Sequence, residues 1–246
     1  MTSQLRAEVL KLRTTRSTFG MGLGLLGLVA FAVLLHGLTL PVERIDSASA
    51  QLTIVFGWGE RFGALFAALL GALSITGEFR HGTIRPTLLV SPRRTPVVLA
   101  KVLASTAAGL ILGLIGGLFA AGTSYVALAS RGIDVAITSS DLIHLVAGTA
   151  AAAALWAAIG VGLGAIVRSQ VPTLVGLTAW LLLLETLIVE NLASVGRFAP
   201  GAAAQALSGQ SPDTLLAPGL AAALLVVYAA AAVALGCWAI LRRDVA

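Results

Sequence analysis

The chain has 246 residues, of which 58% are hydrophobic and only 11% are charged. Soluble domains of this length mix apolar and charged residues far more evenly, so the composition excludes that class. The net charge of +5 flanks the apolar runs, as membrane topology requires, and therefore gives no support to a nucleic-acid partner. Cys237 is the single cysteine, which excludes an intrachain disulfide. The composition indicates an all-α integral membrane protein.

The first segment, residues 1–18, is predicted to be an amphipathic helix that lies in the membrane interface. Leu5, Val9 and Leu12 recur at the spacing of one helix face, and basic residues occupy the remaining faces. Such a helix can place its basic side chains on anionic headgroups. The alternative is a solvated basic tail that only enforces topology.

The remainder, residues 19–246, is predicted to be one six-span transmembrane domain. Apolar runs of about 20 residues recur, each long enough to cross a hydrocarbon core of ~30 Å. The predicted spans are Phe19–Leu40, Phe56–Thr76, Val102–Ala129, Leu142–Val167, Pro172–Glu190 and Leu216–Leu241. The first is too long for the core of a signal peptide, although Ala48-Ser49-Ala50 has the pattern of a cleavage site. We therefore expect an uncleaved first span.

The basic residues predict the orientation of the spans. With six spans, both termini lie on one side, and twelve of the sixteen Lys and Arg fall on that side. Segments rich in Lys and Arg stay in the cytoplasm, so both termini are predicted to be cytoplasmic. The longest loop on the other side, residues 191–215, is expected to contain one brief helix around Ala202–Leu207 and no separate domain.

Motifs of an enzyme that acts alone are missing from the sequence. It contains no G-x-x-x-x-G-K-[ST], no H-E-x-x-H and no G-x-S-x-G. His36, His81 and His144 lie on different segments and predict no metal site. Residues 207–210 (L-S-G-Q) resemble a nucleotide-contacting signature of ABC ATPases, but without a P-loop we interpret them as a turn. We expect no catalytic, cofactor-binding or metal-binding residue in this chain.

Small residues recur at the spacing that lets helices approach closely in lipid. This pattern predicts a tightly packed bundle and contacts with a second subunit. The steps are Gly20 with Gly24, Gly109 with Gly113 and Gly117, and Gly160 with Gly164.

A basic loop, residues 77–101, lies between the second and third predicted spans. It holds five of the sixteen Lys and Arg. Gly82 is predicted to break the helix of the second span, and Pro92 bounds the other end of a short predicted helix whose apolar face includes Ile84 and Leu88. Such a helix fits a groove on a soluble protein or lies on lipid headgroups, and the residues alone favour neither.

Residues 77–94 of this loop read G-E-F-R-H-G-T-I-R-P-T-L-L-V-S-P-R-R, and Ala100-Lys101 follows at the next span. This pattern resembles the first cytoplasmic loop of the permease subunits of type-2 ABC exporters, although Pro86 replaces an expected polar residue. The basic opening at 6–17, the R-F-A-P-G-A-A at 197–203 and the closing residues 241–245 are similar too. The resemblance covers essentially the whole chain.

The resemblance implies a permease half in a cell membrane of bacterial type. It would pair with a second permease subunit, identical or not, and with cytoplasmic ATPase subunits that bind the ATP. The loop would contain the coupling helix, which converts closure of the ATPase into movement of the spans. The residues that the resemblance assigns to coupling are Glu78, Arg80, Gly82, Thr83, Arg85, Leu88, Arg93 and Arg94.

Glu185 lies within the fifth predicted span, near its outer end. A charge there costs about 2.5–3.5 kcal/mol on insertion scales, so it is a candidate for a cation path or a proton carrier. We favour a structural role, in which the carboxyl reaches the interface or bonds a neighbouring helix, because the spans offer no basic partner. Two other functions stay open: an ion-coupled carrier that uses Glu185, and a membrane anchor or sensor partner without transport. The apolar spans suit an amphiphilic cargo.

Overall fold

The computed structural model describes residues 2–83, 94–210 and 215–242, and every regular element among them is helical. The π-helical turns Gln51–Phe56 and Trp180–Leu184 lie within two of the long helices. In chain order the helices are α1 Thr2–Thr14, α2 Arg16–Thr39, α3 Ala48–Arg80, α4 Arg94–Ala129, α5 Ser139–Val167, α6 Gln170–Asn191, α7 Ala193–Gly196, α8 Pro200–Leu207 and α9 Pro218–Arg242.

Six helices, α2 to α6 and α9, are long and apolar enough to cross a membrane, which confirms the six predicted spans. The protein is therefore a multi-pass membrane protein. Two helices extend well beyond their predicted apolar runs, because α3 begins at Ala48 and α4 begins at Arg94. With 36 residues, α4 is ~54 Å long and projects past a ~30 Å hydrocarbon core.

Helices α3 and α5 form the centre of the bundle and are the most buried spans. Their contact is unusually close. A Cβ atom added to Gly160 would lie 2.0 Å from the carbonyl oxygen of Ala68, and one added to Gly71 would lie 2.0 Å from that of Ala157. The two backbones touch directly, as small residues permit in lipid. Gly160, one of the small residues predicted to allow close helix contacts, therefore packs α5 against α3 within the same chain.

Replacing Gly160 with alanine is expected to lower the free energy of unfolding by about 1–3 kcal/mol, because a backbone carbonyl cannot move aside for the new methyl group. The matched control is Gly20→Ala on α2, where a Cβ meets nothing within 4 Å. Alanine is the better helix former, so this control should be neutral or slightly stabilising. Unfolding of the purified protein in detergent, followed by circular dichroism, measures both. Equal stability of the two variants would contradict the described α3–α5 contact.

Side-chain hydrogen bonds join the segments at both ends of the bundle. We call the end that carries α1 the α1 end and the other the opposite end. At the α1 end, the Arg80 side chain donates a hydrogen bond of 3.0 Å to Gln170, which joins α3 to α6. At the opposite end, Gln51 is fully buried and bridges two connecting segments. Its Nε2 donates to the carbonyl oxygens of Ile45 and Asp134, at 3.1 and 2.9 Å. These contacts hold the loops of the opposite end against α3.

Two smaller predictions concern the opposite end, and both are confirmed. The brief helix expected around Ala202–Leu207 is α8, Pro200–Leu207. Of the residues 207–210 interpreted as a turn, Leu207 ends α8 and Ser208 and Gly209 form the turn. Gly209 has a φ of +77°, which glycine adopts without strain.

Candidate functional site

The structure places the predicted coupling residues at the α1 end, as far as it describes them. Glu78 and Arg80 lie in the last turn of α3, and Thr83 follows that helix. The side chain of Arg94, the first residue of α4, is not described. Arg85, Leu88 and Arg93, with the short helix predicted for this stretch, lie outside the described residues.

Gly82 ends α3, as its sequence position predicted. It has a φ of +67°, in the left-handed region. Its N–H donates to the carbonyl oxygen of Phe79 at 3.3 Å, and the N–H of Thr83 donates to that of Glu78 at 3.0 Å. This pair of bonds is a Schellman motif, which terminates helices and favours glycine at the left-handed position. The loop therefore leaves α3 at a defined residue.

The side chain of Glu78 lies inside the protein. It belongs to a charge cluster of four residues: Glu8 and Lys11 of α1, Glu78 of α3 and Lys101 of α4. The Lys101 side chain is 1% exposed, and its ammonium lies 2.7 Å from Glu78 Oε1 and 2.9 Å from Glu8 Oε2. Its third hydrogen bond, of 3.1 Å, goes to the carbonyl oxygen of Ser74. All three donors of this buried ammonium are therefore satisfied.

Lys11 completes the charge cluster from its exposed side. Its ammonium lies 2.7 Å from Glu78 Oε1 and 2.9 Å from Glu8 Oε1, and half of its side chain stays accessible. Partial burial acts to lower the pKa of Lys11, but the two carboxylates outweigh it and raise this pKa above its ordinary value. Two ammonium groups thus neutralise two carboxylates, the condition under which buried charges are tolerated.

The charge cluster joins three segments that are far apart in the sequence. It connects α1 to the last turn of α3 and to the second turn of α4, which lie on either side of residues 84–93 in the sequence. The sequence indicated Glu78 but not its partners Glu8, Lys11 and Lys101. One available signal was their opposite charges in a chain with few charged residues. The cluster also explains why α1 buries Glu8, which is 7% exposed, while the predicted apolar-face residue Val9 is 39% exposed.

Glu185 lies on α6 at the opposite end, where its side chain is 4% exposed. Its Oε1 accepts hydrogen bonds from the backbone N–H groups of Gly201 and Ala202, the latter at 2.8 Å. These donors belong to the first turn of α8, where a helix favours negative charge. The structure thus shows the carboxyl bonded to a neighbouring helix, as the structural interpretation expected.

A cavity of about 420 Å³ adjoins this contact. It is lined by Glu60, Arg61, Glu185 and Glu190, among other residues. Glu60 is 2% exposed, and Gln210 Nε2 lies 3.5 Å from its Oε2. Within the described ranges, no three His, Cys, Asp or Glu side chains are placed to hold a metal ion.

No family model matches the chain, and no curated protein matches it either. The resemblance to type-2 permeases is therefore carried by the quoted motifs alone.

Proposed function

We propose that this chain is the membrane subunit of an ATP-driven exporter. In this proposal it is a permease half of the type-2 ABC class that pairs with a second permease subunit and a cytoplasmic ATPase. The observation that supports it is the charge cluster. The opening basic helix, the loop motif and the Ala100-Lys101 pair each resemble that class separately, and the structure brings one or two charged residues of each into a single contact.

The charge cluster gives the loop a mechanical connection to the spans. Glu78 and Lys101 lie on either side of residues 84–93 and are bonded to each other at 2.7 Å. A partner that moves this stretch would therefore displace α3 and α4 together, and α1 with them. Because α3 also contacts α5 along the centre of the bundle, the displacement would reach the core. Proteins transmit coupling through such contiguous bonded contacts.

In this proposal the α1 end faces the cytoplasm of a cell whose plasma membrane holds the protein. The excess of Lys and Arg at this end supports that orientation. Helix α1 would lie along the inner membrane surface, with Val9 towards the bilayer and Glu8 towards the bundle. The ATP would be bound by the partner, because this sequence contains no P-loop.

Purification in mild detergent from the native cell tests the proposal. A P-loop ATPase is expected to co-purify, and Arg85→Glu in the loop should reduce its recovery about tenfold, because one reversed charge at a docking surface costs on the order of 1.4 kcal/mol or more. Arg44→Glu at the opposite end is the matched control, since Arg44 is exposed there. Recovery of the ATPase with this control variant should stay unchanged.

Three outcomes would contradict the proposal. Absence of any ATPase from the wild-type preparation would exclude the exporter. Complex formation without ATP-dependent flux in vesicles would favour the anchor or sensor partner. If Arg44→Glu reduced ATPase recovery as much as Arg85→Glu, the loop would not be the docking surface.

A further inference from the structure

We propose that a cavity at the α1 end binds the headgroup of a phospholipid-like amphiphile that carries a phosphate and a primary amine. The cavity measures about 620 Å³, within the range of about 300–1,000 Å³ that ligand sites occupy. That this amphiphile is also the transported cargo rests on the proposed function. That the cavity binds it does not, because binding requires neither the ATPase nor transport.

The cavity lies between three structural segments. One wall is the α1–α2 junction with Thr15 and Thr18, and the second is the last turns of α3. The third is the start of α6, where Gln170 accepts the hydrogen bond from Arg80. If α1 lies in the membrane interface as proposed, the cavity is at the depth of the lipid headgroups.

One part of the lining suits a phosphate. Arg80 is exposed and lines the cavity, and its guanidinium is not paired with any carboxylate among the described residues. Lys11 adds a half-exposed ammonium, although it also neutralises the cluster carboxylates. The hydroxyl groups of Ser17 and Thr18 are further donors on the α1–α2 wall. Guanidinium and hydroxyl donors together are a common set for phosphate oxygens.

A second part of the lining suits an amine. Glu78 lines the cavity and is 7% exposed, and both cluster lysines bond to its Oε1. Its Oε2 is buried and receives no hydrogen bond from the described residues. A buried carboxylate oxygen without a donor is costly, so a carboxyl that turned this oxygen towards the cavity would gain the missing hydrogen bond from a primary ammonium there. A quaternary ammonium has no N–H and could not supply it.

A third part of the lining is apolar and suits an alkyl chain. Met21, Leu70 and Leu73 line the cavity on its side towards the spans. Polar residues at one end and apolar residues at the other match an amphiphile better than a free headgroup. The proposed occupant therefore has its phosphate at Arg80, its amine at Glu78 and its chain along α2 and α3.

Binding to the purified chain in detergent, measured by thermal shift and native mass spectrometry, tests this inference. The probes are dihexanoyl phosphatidylethanolamine, dihexanoyl phosphatidylcholine and free phosphoethanolamine. We expect the first to bind about tenfold more tightly than either of the others, a ratio that one charge-assisted hydrogen bond or a short chain provides. Equal affinity for the two lipids would overturn the amine contact. Equal affinity for phosphoethanolamine would show that the ligand is soluble rather than amphiphilic.

Two variants locate the site. Gly77→Leu places a side chain into the cavity and replaces no charged residue, because Gly77 lines the cavity and a Cβ there meets nothing within 4 Å. It should abolish binding, and Arg80→Gln should weaken it about tenfold. Gly122→Leu on α4 is the matched control, since its Cβ also meets nothing and it lies outside the cavity. Unchanged binding by Gly77→Leu would overturn the inference, even where the ATPase still co-purifies.

Discussion

Replacing Lys101 with methionine is expected to destabilise the folded protein by about 3–5 kcal/mol, the cost of breaking a buried ion pair by removing one partner. Methionine fills a similar volume, so the loss comes from charge rather than from packing. Without Lys101, the carboxylates of Glu8 and Glu78 remain together in a site where they are at most 10% exposed. Only Lys11 would then oppose two negative charges.

The chain provides a matched control for this change. Lys11 contacts the same two carboxylates at nearly the same distances, but its side chain is 51% exposed, against 1% for Lys101. Water can replace the Lys11 ammonium, so Lys11→Met should cost about 1 kcal/mol or less.

Unfolding in detergent with a denaturant titration measures both variants. A further variant separates charge from shape: adding Glu78→Gln to Lys101→Met leaves Lys11 with one carboxylate instead of two and should restore part of the lost stability. Equal effects of the two lysine substitutions would contradict the described burial of Lys101.

Replacing Glu185 with alanine is expected to destabilise the protein by about 2–4 kcal/mol. The first turn of α8 would lose the acceptor of two backbone N–H groups, which belong to the buried residues Gly201 and Ala202. Glu185→Gln keeps a carbonyl oxygen for these donors but not the negative charge, so about half of the loss is expected. Glu190→Ala is the control, because Glu190 lines the same cavity but is exposed. Its effect should stay within about 0.5 kcal/mol.

The same variants distinguish the structural role of Glu185 from a role as an ion carrier. Stability is measured by unfolding in detergent, and flux is measured in sealed vesicles. A structural role predicts that flux falls only as far as the folded fraction falls. Loss of flux by Glu185→Gln at unchanged stability, by this protein alone in vesicles, would instead identify an ion-coupled carrier.

The positions of the spans could be predicted from the sequence because each depends on the hydropathy of one continuous run. The predicted ends of the spans were less accurate. A helix continues as long as its backbone hydrogen bonds are satisfied, even where the hydropathy of the sequence falls. Helix α5 begins at Ser139 rather than Leu142, because Thr138 and Asp141 form a capping box that also predicts a helix start. Gly82 was predictable for a similar local reason.

The candidate site was less predictable because its contacts join distant residues. Glu8 and Lys101 are 93 residues apart, and neither periodicity nor composition pairs them. Glu185 could be recognised in the sequence as a charge within an apolar run. Its two donors are the backbone N–H groups of Gly201 and Ala202, which no side-chain pattern reveals. The coupling roles assigned to Arg85, Leu88 and Arg93 stay predictions.

The order of the charge cluster along the chain has a consequence for biosynthesis. Glu8 and Lys11 leave the ribosome early, and Glu78 follows near the end of the second span. Lys101 emerges only as the third span begins, so helix α1 has no complete set of ionic partners until two spans have been translated and the third has started. Its docking therefore follows the synthesis of the first two spans.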